Sequence, residues 1–290
     1  MSAPPDVPTG ALVLVATPIG NLGDVSERAI AALASADVIA AEDTRRTRSL
    51  LTHLDIKSAA RLRSVHAHNE RTEARHIVEL VRAGKRVVYV TDAGMPGIAD
   101  PGERLVRACI DAQVPVEVVP GPSALLAALV LSGLPTSRFR FEGFLPRKGT
   151  ARAQRLGAIA AADSTVVIYE SPHRVVATLQ DLETVLGPDR PVAVARELTK
   201  LFEEVARGGI ADVVRQLGAK AEARGEHVIV IGPGTRDEHV GDDLLLQAVT
   251  ELMADGTSAR DAAASVAREL GVPRRRAYDV ALRVRASSRA

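Results

Sequence analysis

Short runs of Val, Ile, Leu and Ala recur along the chain: ALVLVAT from residue 11, RVVYVTD from 86, VPVEVVP from 114, STVVIYE from 164, RPVAVARE from 190 and HVIVIG from 227. They are apolar at consecutive positions rather than alternating, which is the pattern of parallel strands buried on both faces. Amphipathic stretches such as ERAIAALASA and ERLVRACIDA lie between them, with apolar residues at helical spacing. This order predicts an α/β protein whose parallel strands are covered by helices on both sides. In RFRFEGF, from residue 138, the alternation predicts Phe139 and Phe141 turned into a core.

Three helix starts carry local signals: Asp24 with Glu27, Asp100 with Pro101 and Glu103, and Ser258 with Asp261 fit a capping box or an acidic first turn. That is local work, and none of these residues is read as catalytic. The strand pattern weakens around Pro120 to Pro122 and resumes after Arg138. The expected units are therefore an N-terminal αβα domain over 10–122 and a C-terminal αβα domain over 123–234. Residues 1–9, with three prolines and no Lys or Arg, read as a disordered N-terminus. From Asp242 onward the strand signal vanishes, leaving LLLQAVTELMA, SARDAAASVARELG and RRRAYDVALRV as helical patterns in a module over 235–290. The last two are joined by Val272 and Pro273, which resembles a helix-turn-helix with Arg274, Arg275 and Arg276 opening the final helix.

Apolar residues are 46% and charged residues 25% of the 290, a globular composition. The 37 Lys+Arg nearly cancel the 36 Asp+Glu, so a nucleic-acid partner must be met by local patches rather than by a whole-chain field. Cys109, the single cysteine, excludes a disulfide framework and a multi-cysteine metal site, and reads as a core residue beside Leu105, Val106 and Ile110. No apolar run approaches the ~18 residues of a bilayer span and no signal peptide is visible, so the expectation is a cytoplasmic protein with no membrane association.

Most predicted strands end in a polar or glycine-proline turn: TPIGN at 17, EDTRRT at 42, TDAGMPGIADPG at 91, PGPS at 120, YESPHR at 169, ARELTK at 195 and IGPG at 231. Ligands of open parallel sheets bind beyond the carboxyl ends of the strands, so these turns point to one site. No GxGxxG follows the first strand, and neither GxxxxGK[ST] nor GxSxG occurs, which removes support for a dinucleotide fingerprint, a P-loop and a nucleophile elbow. The single HxH, His66 and His68, lacks further ligands and reads as a solvated loop, so no metal is expected.

Taken in order, TPIGNLGDVSERAI, AAEDTRRT, the HNE at 68, DAGMPGIADPG, PGPSALLAAL, FEGFLPRKG, YESPHR, ARELTKLFEE and HVIVIGPG resemble the motifs of the small-subunit ribosomal RNA 2′-O-ribose methyltransferases, a branch of the tetrapyrrole methylase superfamily. The resemblance runs from about 11 to 234, and a basic helical tail is similar too. It implies two αβα domains of the class III methyltransferase type, arranged as a homodimer. S-adenosylmethionine would be bound folded between the domains. The implied reaction is methyl transfer to the ribose 2′-hydroxyl of a decoding-centre cytidine, in helix 44 of small-subunit (16S) ribosomal RNA. Many relatives read DAGTP where this chain has Met95, so a backbone contact there would persist and a threonine hydroxyl contact would not.

Position by position, the resemblance implies donor contacts at Pro18, Asp92, Gly94, Met95, Ser123, Ala124, Tyr169, Ala195 and Val228. Ser123 also fits the N-cap of a helix over 124–132. A ribose hydroxyl is a poor acid, and a base or polarising cation would help. The candidates are Glu42 and Asp43, His68 with Glu70, Glu170 with His173, and Glu197 with Lys200. Local readings compete: Glu70 fits the opening of a helix over 70–83, and Ser171 and Pro172 fit a helix start. No single base is assigned.

Residues 45–75 hold eight Lys/Arg and three acidic residues, and 138–155 hold six and one, each net +5. Beside donor-type turns these segments point to phosphate contacts, with Arg45, Arg46, Arg147 and Lys148 foremost and Arg274, Arg275 and Arg276 from the tail. Two other readings stay open: a methylase of a small macrocycle or of diphthine, and a non-enzymatic nucleic-acid binder. The first needs neither basic segments nor a tail, and the second does not need the strand-end turns.

Overall fold

A computed structural model describes residues 10–56, 62–219, 225–234, 242–270, 272 and 274–287. No helix among them is long and apolar enough to cross a membrane. The first sheet consists of β1 (Ala11–Val15), β2 (Val38–Ala41), β3 (Leu62–Ser64), β4 (Arg86–Val90) and β5 (Val116–Val119), all parallel, in the order β3-β2-β4-β1-β5. Successive side chains of a strand point to opposite faces, so each face builds its own core. On one, Val13 and Val15 pack with Ala29 and Leu33 of α1 (Glu27–Ser35) and Leu51 of α2 (Thr44–His53). On the other, Leu12 and Tyr89 pack with Ile77 of α3 (Glu70–Arg82) and with Leu105 and Cys109 of α4 (Glu103–Asp111). Ile110, expected on that buried face, is exposed.

Strand β1 feeds α1 on one face while its neighbour β4 feeds α4 on the other. Connections leaving adjacent strands toward opposite faces open a crevice at their carboxyl ends. Just beyond those ends Thr17 and Gly94 exchange both backbone hydrogen bonds at 3.0 Å, tying the two turns together.

The second sheet, β6 (Phe139–Phe144), β7 (Thr165–Glu170), β8 (Pro191–Arg196), β9 (Glu204–Gly209) and β10 (His227–Ile231), runs in the order β6-β7-β10-β8-β9. Here the expected parallel arrangement is wrong: only β6 and β7 pair in parallel, while β10 is antiparallel to β7 and β8, and β8 to β9. Residues 197–203 joining β8 to β9 are enough for a reversal but not for a crossover helix. A mixed sheet buried between helices yields the same continuous apolar runs, so the pattern could not tell the two apart. Helix α5 (Ala124–Ser132), starting directly after Pro122, lies on one face through Ala128 and Leu129. Helices α6 (Thr150–Ala160), α7 (Val175–Leu186) and α8 (Ile210–Gly218) build the core on the other.

Strand β6 is an edge strand, and the expectation for its aromatics is corrected at one position. Phe139, at the start of the strand, is exposed, whereas Phe141, two residues on, packs edge-on against Tyr169 with centroids 4.9 Å apart. The register then shifts, with Phe141 opposite Val167 and Phe144 opposite Tyr169. The extra residue is accommodated at Gly143, whose φ of +61° suits glycine. Phe144 thereby joins Phe141 against Tyr169, with centroids 5.7 Å apart, instead of pointing to the opposite face.

Of the expected helix starts, Ser258 caps α10 (Ala259–Glu269), its Oγ accepting from the Asp261 N–H at 3.2 Å. The first is displaced: Ser26, not Asp24, caps α1 by accepting from the Ala29 N–H at 3.1 Å. The middle one is also displaced, since α4 begins after Gly102 and Asp100 is left free of it. In the tail, α9 (Asp242–Ala254), α10 and α11 (Arg274–Ser287) pack on one another through Leu245, Val249, Val266 and Val280. Pro273 and residues 1–9 and 235–241 lie outside the described residues.

Candidate active site

The crevice opens into a cavity of about 350 Å³ lined from both sheets. From the first come Glu42, following β2, Arg46 in the first turns of α2, and the loop after β4 from Asp92 to Asp100. The turn at Gly94 requires a φ of +77°, which glycine adopts without strain, and it runs beside Ile19 and the Pro122 carbonyl. Further along, the same loop folds back and returns Asp100 to the cavity wall.

Carboxylates dominate this wall. The Asp92 N–H donates to Glu42 Oε2 at 3.4 Å, and Asp92 Oδ1 accepts from the Asp43 N–H at 3.2 Å. Burial, followed by the neighbouring charge of Asp92, raises the Glu42 carboxyl above its ordinary range. Asp100 is pushed up to about 7, by burial first and then by Glu42, Asp92 and Glu226. Arg46 Nη1 reaches Asp92 Oδ2 at 3.4 Å but its side chain stays 67% exposed. An ion pair that open is worth under about 1 kcal/mol, so Arg46 can exchange Asp92 for another anion at little cost.

The second sheet supplies the opposite wall. The Tyr169 hydroxyl accepts from the Leu125 N–H at 3.1 Å, pinning the ring between α5 and β6, and burial raises its pKa, which makes it a weaker acid. Ser123 lines the cavity and also caps α5, its Oγ accepting from the Leu126 N–H at 3.4 Å. Glu170 is buried, and its carboxylate accepts from the Ser171 N–H and the Thr178 hydroxyl, each at 2.8 Å, with Arg174 at 3.3 Å. Its lone pairs are committed to holding the turn. His227 is buried beside it, with Nδ1 on the Gly225 carbonyl at 2.9 Å and Nε2 without a hydrogen-bond partner among the described residues, and burial lowers its pKa.

Of the residues expected around a donor, Asp92, Gly94, Met95, Ser123, Ala124, Tyr169 and Val228 line this cavity. Pro18 lines a neighbouring pocket that shares Arg46 and Asp92, and Ala195 is buried under α5. The candidate bases scatter. Asp43 caps α2 and pairs with Arg45, whose hydrogen bonds hold it down at about 2, so it is a poor proton acceptor. Glu197 and Lys200 pair with each other at 2.8 Å outside the cavity lining. Glu70 opens α3, and it spends Oε1 on the N–H groups of Gly102, Arg104 and Leu105 at the start of α4. His68 is exposed, its ring 5.9 Å from His66.

His173 and Arg147 line a groove adjoining the cavity. Ser171 and Pro172 form a turn rather than the first helical residues, since α7 begins at Val175. Lys148, Arg45, Arg274 and Arg275 are exposed, and Arg276 is half-buried. Sequence reasoning assigned no role to Asp100, Glu226, His227 or Phe144 at the cavity. For Asp100 the signal was present, because it shares the DAGMPGIADPG loop, but its nearness to Pro101 and Glu103 favoured a helix cap.

The lining fits a compact organic cation: carboxylates face it, and volume and polarity match a small-molecule site. Two α/β layers enclosing an acidic cavity at strand ends define an α/β enzyme of small-ligand chemistry. Residues 11–214 match the family described as Tetrapyrrole (Corrin/Porphyrin) Methylases, and the chain belongs to this family. It is 42% identical to the "Ribosomal RNA small subunit methyltransferase I" of Synechocystis sp., over 96% of this chain and 99% of that one. It is 44% identical to the protein of the same name in Mycobacterium bovis, over 96% of both chains. In fold it resembles uroporphyrin-III C-methyl transferase from Thermus thermophilus, solved with S-adenyl homocysteine, at a TM-score of 0.53 and 23% identity, over 79% of this chain and 99% of that one.

Proposed function

We propose that this chain transfers the methyl group of S-adenosylmethionine to the ribose 2′-hydroxyl of a decoding-centre cytidine in 16S ribosomal RNA of the small subunit. The carrying observation is the acidic cavity, set beside a groove bearing Arg147, His173 and Arg174, in a chain alike over nearly its whole length to proteins bearing that name. The working units of this reading are 10–122 and 123–234 for chemistry and 235–290 for substrate, in the cytoplasm where the subunits reside.

S-adenosylmethionine supplies a methyl carbon already activated by a positive sulfonium. Its carboxylate neighbours Glu42, Asp92 and Asp100 compensate the cationic charge, and the backbone around Gly94 and the Ser123 hydroxyl fix the pose. In the transfer a bond forms between the ribose oxygen and the methyl carbon while the carbon–sulfur bond breaks, its electron pair staying on sulfur. Holding oxygen and carbon in line supplies most of the acceleration. The hydroxyl proton goes to a carboxylate of the cavity, where Glu42, raised by burial, and Asp100, poised near neutrality, suit a base better than Asp43 or the saturated Glu170.

A homodimer completes this reading. Helix α5 carries no charged residue, and with Leu129 turned inward it leaves Leu126 and Val130 at 51% and 72% exposure, an apolar face a second copy would cover. The function is tested by incubating the purified chain with labelled S-adenosylmethionine and small subunits that lack the modification, then mapping ribose methylation. A single labelled cytidine at the decoding centre is the expected result. Label only on a macrocycle offered in parallel would replace it with the small-substrate reading.

A further inference from the structure

Phe144 stands between two hollows. On one side is the acidic cavity; on the other is a groove of about 610 Å³ lined by Phe144, Leu145, Pro146, Arg147, His173 and Arg174 together with Glu170 and Ser171. Phe144, Glu170 and Ser171 belong to both linings, so the hollows share a rim.

Their chemistry is opposite. Among the described residues of the groove Glu170 is the single acid, and its oxygens are occupied by Ser171, Thr178 and Arg174. The Arg174 Nη2 that meets Glu170 also donates to the Leu145 carbonyl at 3.1 Å. Arg147 and His173 are exposed and carry no ion pair among the described residues, which leaves them for an anion. Phe144 is 56% exposed, yet its ring is held edge-on against Tyr169, itself pinned through its hydroxyl to α5. A fixed aromatic face with cations beside it is what a splayed-out nucleotide requires: a surface for the base and donors for the phosphate.

We propose that this groove is the acceptor-nucleotide subsite, with Phe144 stacking on the target base and Arg147 and His173 holding a flanking phosphate. This rests on the ribosomal RNA reading and adds a location to it. A nucleotide seated there presents its ribose at the shared rim of Phe144, Glu170 and Ser171, facing the methyl donor in the cavity. Glu170 and Arg174 are positioning residues, since they brace each other and the turn.

The test uses the full chain with unmodified small ribosomal subunits and labelled S-adenosylmethionine. The variants are R147A/H173A, F144L and the conservative F144Y. R147A/H173A is expected to raise the KM for subunits about tenfold and to flatten its dependence on log salt by roughly one unit, with calorimetric affinity for S-adenosylmethionine unchanged. F144L is expected to lose about tenfold in kcat/KM for subunits, and F144Y to restore it, because both aromatic rings stack and leucine does not. An unaltered KM for subunits in R147A/H173A, or F144L performing as well as F144Y, would overturn the subsite. A fall in donor affinity in R147A/H173A would overturn it too, by making the groove part of the donor site. If the unaltered chain methylates no subunits, the function itself fails and the subsite with it, and that outcome needs no variant to be seen.

Discussion

Glu70 Oε1 accepts the Gly102 N–H at 2.9 Å across 32 residues of chain, and the same oxygen takes the N–H groups of Arg104 and Leu105. A carboxylate at the opening of α3 thus caps α4, whose own N-cap, Gly102, has no side chain to do so. The cap also fixes the end of the loop that carries Asp92, Gly94 and Asp100.

Removing this carboxylate leaves buried donors unsatisfied. Glu70→Ala is expected to destabilise the fold by about 2 kcal/mol, read from urea unfolding. Unchanged stability with complete loss of methyl transfer would make Glu70 a chemical group instead of a structural one.

The Gly94 turn offers a direct probe of donor binding. A Cβ at this position would lie 3.4 Å from Ile19 Cγ2 at a φ of +77°, which β-branched residues avoid. Gly94→Val is expected to abolish S-adenosylmethionine binding by calorimetry, while the circular dichroism spectrum stays that of a folded chain. Retained affinity would place the donor elsewhere.

Asp100 sets a pH dependence whose sign follows from its shift. Folded, it keeps its proton up to about pH 7; unfolded, it releases it near its ordinary 3.8. Between these values the folded chain binds more protons, so this residue's contribution to stability is full below pH 3.8 and is lost as pH rises through about 7. Asp100→Asn is therefore expected to be more stable than the parent at pH 8, with the difference shrinking toward pH 4. The charged form attracts a cation, so affinity for S-adenosylmethionine should rise from pH 6 to 8 in the parent and stay nearly flat in the variant. A variant that follows the parent in both measurements would remove Asp100 from the donor site.

The uncovered face of α5 predicts self-association. Light scattering at micromolar concentration is expected to give twice the 30.6 kDa of one chain, and Val130→Asp to return it to one. A monomeric parent would leave that face without a second copy.

In the tail, Arg274 and Arg275 open α11 exposed, on a helical unit packed around its own apolar core. Replacing both by Glu is expected to weaken methylation of ribosomal subunits and to lower its salt slope by roughly two units, with donor affinity intact. An unchanged salt series would assign the tail another task.

Local chemistry made much of this protein legible without coordinates. The alternation of apolar runs with helical patterns, the turns at Thr17, Glu42 and Asp92, and the Ser258 cap depend on neighbours a few residues apart, and a sequence displays those directly. The expected donor contacts Asp92, Gly94, Met95, Ser123, Ala124, Tyr169 and Val228 were implied by the family resemblance of the motifs, and the fold gathers these residues into one lining.

What the tertiary structure alone decided are pairings between distant segments. Strand direction in the second sheet follows from β10 entering between β7 and β8, and burial on both faces looks the same for either direction. Asp100 reads locally as a cap, but Glu70, far away in sequence, does the capping, which leaves Asp100 in the cavity wall, where burial and then the neighbouring carboxylates raise it. Phe144 faces Tyr169 because the extra residue near Gly143 shifts the register of β6, and a bulge exists only relative to the strand it pairs with. Apolar period and turn chemistry are properties of a short stretch of chain, whereas register, capping between helices and shared electrostatics are properties of contacts that come into being only when the chain has folded.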